Sequence, residues 1–250
     1  MSRITDFFNT SFAAIITGAS TIFNGINELI NIGDISNLNI ERTDAKSVFA
    51  FCYPKSSGVE GIVGKSKSGG VFKGWSLRFS SNKIQVFIAH STGNRIFIES
   101  TNTYSTNNWY NIGFSYDGSS NANGVTIYVN GVSVTYTIVS NSLTNTTIQS
   151  GAPFQIGTNR QNTNYFEGNI AQCTFIDKEV SSSEALEIYN GGVPTDISAV
   201  SFSADVISAW SLDASDDLTI SGGVTDYISG HDGTAINMTA ANTDLTNFPT

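Results

Sequence analysis

The segment Val125-Thr126-Ile127-Tyr128-Val129 runs straight into Asn130-Gly131 and then into Val132 to Ile138. The first five residues are β-branched or aromatic, types that suit a pleated, half-buried surface. Asn-Gly is the pair that best tolerates positive φ at both centres of a two-residue type I′ turn. The chain should therefore double back here as an antiparallel hairpin. The same texture recurs along the sequence. Ile30 to Ile40 alternates, and Ser47 to Tyr53, Trp75 to Phe79, Lys83 to Ala89, Arg95 to Glu99 and Trp109 to Tyr116 read as short strands between turns. Phe154 to Gly157, Asn169 to Ile176 and Val206 to Leu212 continue the series, while the glycines and serines from Ser56 to Gly70 read as a long loop. One helix is expected, opened by a capping box in Ser181-Ser182-Ser183-Glu184 and closed by Gly191-Gly192.

Composition agrees with an all-β chain. The 33 Ser, 26 Thr and 25 Asn occupy 84 of 250 positions, and charged residues are only 13%, about half the usual share. Thr suits strands, while Ser, Asn and Gly suit turns. At 250 residues one large core is expected, so the fold class is all-β, an antiparallel β-sandwich with one short helix. A net charge of −9 gives no cationic footprint for a nucleic-acid backbone or an anionic membrane. No run approaches the roughly 20 apolar residues of a membrane-spanning helix, so no membrane insertion is expected.

Residues 1–20 carry Phe7, Phe8, Phe12, Ile15 and Ile16, but Asp6, Asn9, Thr10 and Ser11 interrupt the apolar run that a signal peptide needs. They read instead as an attachment arm buried against a neighbouring subunit or particle, with packing on the chain's own sandwich as the alternative. The sequons at Asn9, Asn145 and Asn237 then carry no information. Cys52 and Cys173 fall in apolar strands at no metal or redox spacing, and read as buried free thiols with an inter-strand disulfide as the alternative.

A search for chemistry yields no catalytic residue. A retaining glycosidase needs two carboxylates about 5 Å apart, and none of the eight glutamates has an acidic partner at strand spacing within an apolar run. Glu184 and Glu187 fall on the helix as a solvated face. His90 and His231 lie far apart and read as strand-end or loop residues, and no Gly-x-Ser-x-Gly elbow is present. Gly61-Ile62-Val63-Gly64-Lys65-Ser66 has two residues between its glycines where a phosphate loop has four. Asp213-Ala214-Ser215-Asp216-Asp217 opens like a calcium loop, yet Leu218 and Val224 stand where Gly and Glu are required. It reads as a solvated acidic turn, with a loosely held rim calcium the alternative. No metal site and no cofactor are expected.

Binding is a better prospect, because sugar platforms combine exposed aromatics with amide hydrogen-bonders. Trp109 and Trp210 occupy apolar strand positions and read as core. Trp75, between Gly74 and Ser76 after a Gly-rich loop, is the surface candidate. The loops Ser119 to Gly124 and Asn159 to Tyr165 add Asn121, Asn123, Asn159, Asn164 and Tyr165 as candidate ligand-binding residues.

An ordered set of motifs resembles a known family. Phe23-Asn24-Gly25, Ile30-Asn31-Ile32-Gly33 and Ser47 to Pro54 come first, then Trp109-Tyr110-Asn111-Ile112, Tyr116-Asp117-Gly118 and Ile127-Tyr128-Val129-Asn130-Gly131. Ile156-Gly157, Phe166-Glu167-Gly168-Asn169-Ile170 and the helix Val180 to Gly191 follow. Together they resemble laminin-G-like domains of the concanavalin A-like lectin/glucanase type over about Thr21 to Gly192. The resemblance implies a jelly roll, with residues 1–20 as arm, 21–192 as the sandwich, and 193–250 as a completing strand plus loop-rich tail. Ile170 to Ile176 lacks the carboxylates usual in the family, which weakens the case for the family's rim calcium, and Phe51 separately replaces a Trp of the first core strand. The glucanase Glu-x-Asp-x-x-Glu signature is absent.

Ala209-Trp210-Ser211-Leu212, Ser229 to Thr234 and Met238 are similar to tails of bacteriophage virion versions of the domain. That implies a non-enzymatic structural or attachment protein located in the virion, joined to other virion proteins through the arm, homo-oligomeric (a trimer favoured), and facing a glycan or host-surface receptor. The alternative is an extracellular bacterial carbohydrate-binding lectin domain, and the third reading is a glycoside hydrolase.

Overall fold

Alternating apolar side chains decide the architecture, because each strand must turn one row of them away from water. The computed structural model describes residues 18–67 and 72–250. Its strands are β1 (Ser20–Asn24), β2 (Leu29–Gly33), β3 (Lys46–Pro54), β4 (Glu60–Ser66), β5 (Gly74–Ser80) and β6 (Lys83–Ser91). Next come β7 (Asn94–Ser100), β8 (Tyr110–Tyr116), β9 (Val125–Val129), β10 (Val132–Val134), β11 (Tyr136–Asn141) and β12 (Phe154–Ile156). The last are β13 (Thr158–Arg160), β14 (Thr163–Tyr165), β15 (Glu167–Ile176), β16 (Val206–Trp210), β17 (Thr234–Ile236) and β18 (Thr243–Asp244), with one α-helix, α1 (Ser182–Tyr189).

Two antiparallel sheets hold these strands. The first runs β10-β9-β8-β3-β15-β1-β18, with β16 continuing beside β15; the second runs β11-β7-β6-β5-β4-β12-β2-β17. Their inner faces enclose one core in which Phe23, Trp75, Phe79, Phe114, Phe154, Phe175 and Trp210 are buried. The fold is an antiparallel β-sandwich with one short helix, as the sequence implied.

The Asn130-Gly131 turn forms as expected, with φ of 51° and 74°, and sets Val132 opposite Val129. The return strand is shorter than expected. After Val134 the chain leaves the first sheet, and Tyr136 onward pairs with β7 in the second. Gly131→Val should cost about 2 kcal/mol. A β-branched residue resists positive φ, and a Cβ there would sit 2.8 Å from Leu186 Cδ2. An unchanged urea midpoint would show that the turn is not of this type.

The outer faces of the two sheets differ. Over the first, Ala185 and Ile188 of α1 join Val180, Ile197, Val200 and Phe202 in a second apolar cluster against Phe49 and Tyr128. Ser181 caps the helix in a complete capping box with Glu184. Among the described residues no such apolar cluster lies over the second sheet, and its outer face is left available by them. Cys52 and Cys173 are buried free thiols on neighbouring strands. Cys52 lies opposite Ile170 and Cys173 opposite Ala50, and burial pushes both thiol pKa values up.

Segments expected as loops prove structured. Ser56 to Gly70 contains β4, an interior strand of the second sheet. Beyond Gly192, the expected strand at Val206 to Leu212 forms as β16 and pairs with β15, and the loop-rich tail adds β17 beside β2 and β18 beside β1. The expected arm, residues 1–20, lies almost wholly outside the described residues, but Ala19 is buried and Ser20 already belongs to β1.

Candidate functional site

Two glycines of β4 prepare the site. A Cβ on Gly61 would lie 1.7 Å from the Asn159 nitrogen, and one on Gly64 2.5 Å from the Asn159 carbonyl oxygen. Backbone can therefore lie directly on backbone, and β13 rests on the outer face of β4. Hydrogen bonds from Gly157 N to Ile62 O (2.8 Å) and from Gln161 N to Ser66 O (2.9 Å) fasten both ends. The β13–β14 hairpin becomes a wall along one side of the open face. The Gly61–Ser66 motif, which fails as a phosphate loop, is thus the seat of this wall.

Beside it the outward positions of β5, β6 and β7 carry an arginine–phenylalanine array. Phe87 and Phe97 face each other across strands and stack with ring centres 4.1 Å apart. The Arg78 guanidinium lies 4.2 Å from the Phe87 ring centre and that of Arg95 5.2 Å from Phe97, while Arg160 lies 4.0 Å over Phe72. All six side chains are half-buried, and cation–π contacts of this kind hold a guanidinium flat without neutralising it. Arg78 Nε also donates to Gln85 Oε1 at 2.6 Å, and Gln85 in turn donates to Glu99, which is paired with Lys83. Among the described residues none of the three arginines forms an ion pair, and the Nε atoms of Arg95 and Arg160 are buried without a hydrogen-bond partner. Burial, then repulsion from Arg160 and Arg95, pulls Arg78 down to about 10, still protonated at neutral pH. Three of the chain's five arginines thus meet on one face of a protein of net charge −9. A narrow slot of about 20 Å³ between Ser76, Arg78, Phe87, Asn159 and Arg160 has room for one water-sized group.

The residues expected at a binding site divide. Asn159, Asn164 and Tyr165 come together on the wall, where Asn164 Nδ2 donates to Asn159 Oδ1 at 3.0 Å. Asn159 itself is 1% exposed and is spent on holding the hairpin. Asn121 and Asn123 lie on the separate β8–β9 loop, where Asn121 Oδ1 caps the Asn123 N–H. Trp75 is corrected. It is 1% exposed, its Nε1 donates to the Leu38 carbonyl at 3.1 Å, and its ring packs on Phe114, Phe154 and Phe175. Trp109 is corrected in the other direction. It is half-buried at the edge of a second hollow, with Nε1 on Asn247 Oδ1. That hollow is lined by Trp109, Tyr110, Asn111, Asn130 and Tyr189 beside the carboxyl-terminal Thr250, and neither amide atom of buried Asn111 has a partner. Among the described residues that line it, none carries a charged side chain. Sequence reading missed the arginine array, although Arg78, Phe87, Arg95 and Phe97 all occupy outward positions of recognised strands.

Elsewhere, polar groups serve the loops. His231 Nδ1 contacts both Ser208 Oγ (2.8 Å) and Asp226 Oδ2 (3.4 Å), whereas a catalytic triad uses opposite ring nitrogens; Ser208 is fully buried. His90 bonds the Thr146 carbonyl. Asp213 and Asp217 cap the turn at 213–217 through the Ser215 and Thr219 N–H groups, but the turn is not solvated as expected, since Asp213 and Asp216 are buried. Glu60 accepts from the backbone N–H of Glu167 on another strand, and burial pushes its carboxyl up to about 7.

Asp216 behaves similarly. Burial, reinforced by Asp213, raises it to about 7 from an ordinary value of 3.8, and its Oδ2 has no partner. The folded state therefore holds a proton that the unfolded chain has released. The stability this confers is complete below about pH 4 and is lost as pH rises through 7. Asp216→Asn keeps the Oδ1 acceptor for Thr225 N. Its gain over the native chain in urea denaturation should be about 2.6 kcal/mol larger at pH 8 than at pH 5. Equal gains at both pH values would show that Asp216 is not proton-linked to folding.

Known proteins agree with this architecture. The model of the family described as the concanavalin A-like lectin/glucanases superfamily matches residues 25–185. A candidate carbohydrate binding protein from Bacteroides ovatus superposes with a TM-score of 0.64 at 15% identity over 93% of this chain, which spans 61% of that protein's length. The CBM40 of the Ruminococcus gnavus IT-sialidase, bound to α2,3 sialyllactose, aligns at 12% identity and TM-score 0.50 over 68% of this chain and 97% of its own. The NanB sialidase of Streptococcus pneumoniae aligns at 19% identity and TM-score 0.50 over 68% of this chain and 27% of that one. None of the curated proteins matches the sequence.

Proposed function

This chain belongs to the concanavalin A-like lectin/glucanases superfamily, and from that premise we propose that it is a non-catalytic glycan-recognition module displayed on a bacteriophage particle. The observation that carries the recognition reading is the open outer face of the second sheet. There, beside the wall of β13–β14, the stacked Phe87 and Phe97 rings lie next to the guanidiniums of Arg78 and Arg95, and the Arg95 and Arg160 Nε donors are buried without a partner. Such a pairing of apolar platform and a few placed polar groups is what ligand sites are made of. The carbohydrate-binding neighbours share the fold that presents it. The virion setting rests on the Ser, Thr and Asn richness and on the tail motifs at Trp210 and Ser229 to Thr234. In this reading the module faces a host-surface glycan, and residues 1–20 join it to other virion proteins as part of a homo-oligomer, with a trimer expected.

Binding to a panel of immobilised oligosaccharides, run together with an assay for new reducing ends, tests the proposal. Retention without hydrolysis is expected, and Arg95→Gln should weaken it while Asn111→Ala should not. Loss of binding in Asn111→Ala alone would move the site to the Trp109 hollow. Reducing ends that vanish in Glu60→Gln would make the protein a hydrolase. For the particle, the full chain is compared with one starting at Gly18, which keeps β1 whole. Equal oligomer mass and equal incorporation would remove the arm from the reading.

A further inference from the structure

We infer that the glycan recognised on this face is acidic, a saccharide carrying a carboxylate or sulfate that is held between Arg78, Arg95 and Arg160. The inference rests on the glycan reading above and adds the chemistry of the ligand.

Three cations gathered on one face repel one another, and the chain elsewhere has ample carboxylates that could have neutralised them. The nearby carboxylate, Glu99, is instead occupied by Lys83 and Gln85. The three guanidiniums therefore have no carboxylate partner among the described residues, and each lies 4.0 to 5.2 Å from the centre of a phenylalanine ring. An arginine fork held flat is the group best matched to a planar carboxylate or to two oxygens of a sulfate. The unbonded Nε atoms of Arg95 and Arg160 are donors whose desolvation is compensated once such oxygens arrive. Size points the same way. The slot at Arg78, Arg160 and Asn159 admits one water-sized group, so one oxygen of an anionic head can enter it and a sugar ring cannot. The ring then lies outside the slot, over the Phe87–Phe97 stack. Net charge of −9 on the whole chain argues against indiscriminate attraction of polyanions, because any ligand larger than the face meets repulsion around it.

The test uses a printed panel in which each hexuronate-bearing or sulfated oligosaccharide sits beside its neutral parent, with inorganic polyphosphate as competitor. The acidic members are expected to bind at least tenfold more tightly than their parents, with an advantage that falls as salt rises. Arg95→Gln and Arg160→Gln should each remove most of that advantage, while Arg160→Lys keeps part of it. Thermal midpoints of the variants confirm that they are folded. A preference confined to carboxylates or to sulfates identifies the head group. Neutral parents that bind as well as acidic ones, or an acidic preference untouched in both arginine variants, would overturn this inference and leave the glycan reading standing. Polyphosphate that competes as strongly as the best saccharide would also overturn it. If no saccharide binds, the glycan reading fails and the inference fails with it.

Discussion

Trp75→Ala is expected to lower the stability of the folded chain by about 4 kcal/mol, in the range for deleting a large buried aromatic. Trp75 lies at the centre of the sandwich with rings from three other strands around it. Phe114 comes from β8, Phe154 from β12 and Phe175 from β15. Removing the indole leaves a cavity that these rings cannot close, because each is held by its own strand, and it strips the Leu38 carbonyl of its only indole donor. Trp75→Phe keeps most of the volume and should lose well under half as much. Urea denaturation measures both. Glycan affinity per folded molecule should be unchanged in Trp75→Phe. A normal urea midpoint with lost binding would return Trp75 to the surface.

The two misplaced tryptophans show where sequence reading stops. Strand periodicity revealed the elements, the Asn130-Gly131 turn and the helix cap, because these depend on neighbours in sequence. Trp75 looked exposed because Gly74 and Ser76 flank it. In a strand, however, flanking residues face the opposite side, so small neighbours say nothing about the side that Trp75 faces. Gly74 answers instead to the adjacent strand: its φ is 127°, and a Cβ there would sit 2.0 Å from the Lys65 carbonyl oxygen of β4. Trp109 looked buried because its run is apolar, but it stands just before β8 begins, where the sheet no longer covers it. The stretch Ser56 to Gly70 failed for a related reason. Its glycines were read as local punctuation, whereas Gly61 and Gly64 answer to β13, almost a hundred residues away. The arginine array is likewise a tertiary product. Arg78 and Arg95 share neither strand nor turn with Arg160, and only the ladder of β5, β6 and β7 and the seating of β13 bring them together.

That seating leads to the sharpest expectation for the site. Gly61→Ala should cost about 3 kcal/mol and reduce acidic-glycan affinity at least tenfold. The backbone of Gly61 is not in the left-handed region, so alanine meets no conformational penalty there, and the obstacle is space alone. Its Cβ would lie 1.7 Å from the Asn159 nitrogen and 2.1 Å from the Thr158 carbonyl carbon. Both are backbone atoms, which cannot swing aside as a side chain would, so one strand must move. β4 is bonded along both edges, to β5 and β12, whereas β13 is paired only with β14 and is fastened to the sheet near its two ends. The hairpin yields first. As it lifts, Arg160 and Asn159 leave the slot while the core beneath stays closed, so binding is lost in a protein that remains folded. Gly93→Ala, where no atom lies within 4 Å of the new Cβ, serves as the neutral comparison. If the two variants match in denaturation midpoint and in glycan affinity, β13 does not rest on Gly61 and the wall of the site is placed wrongly.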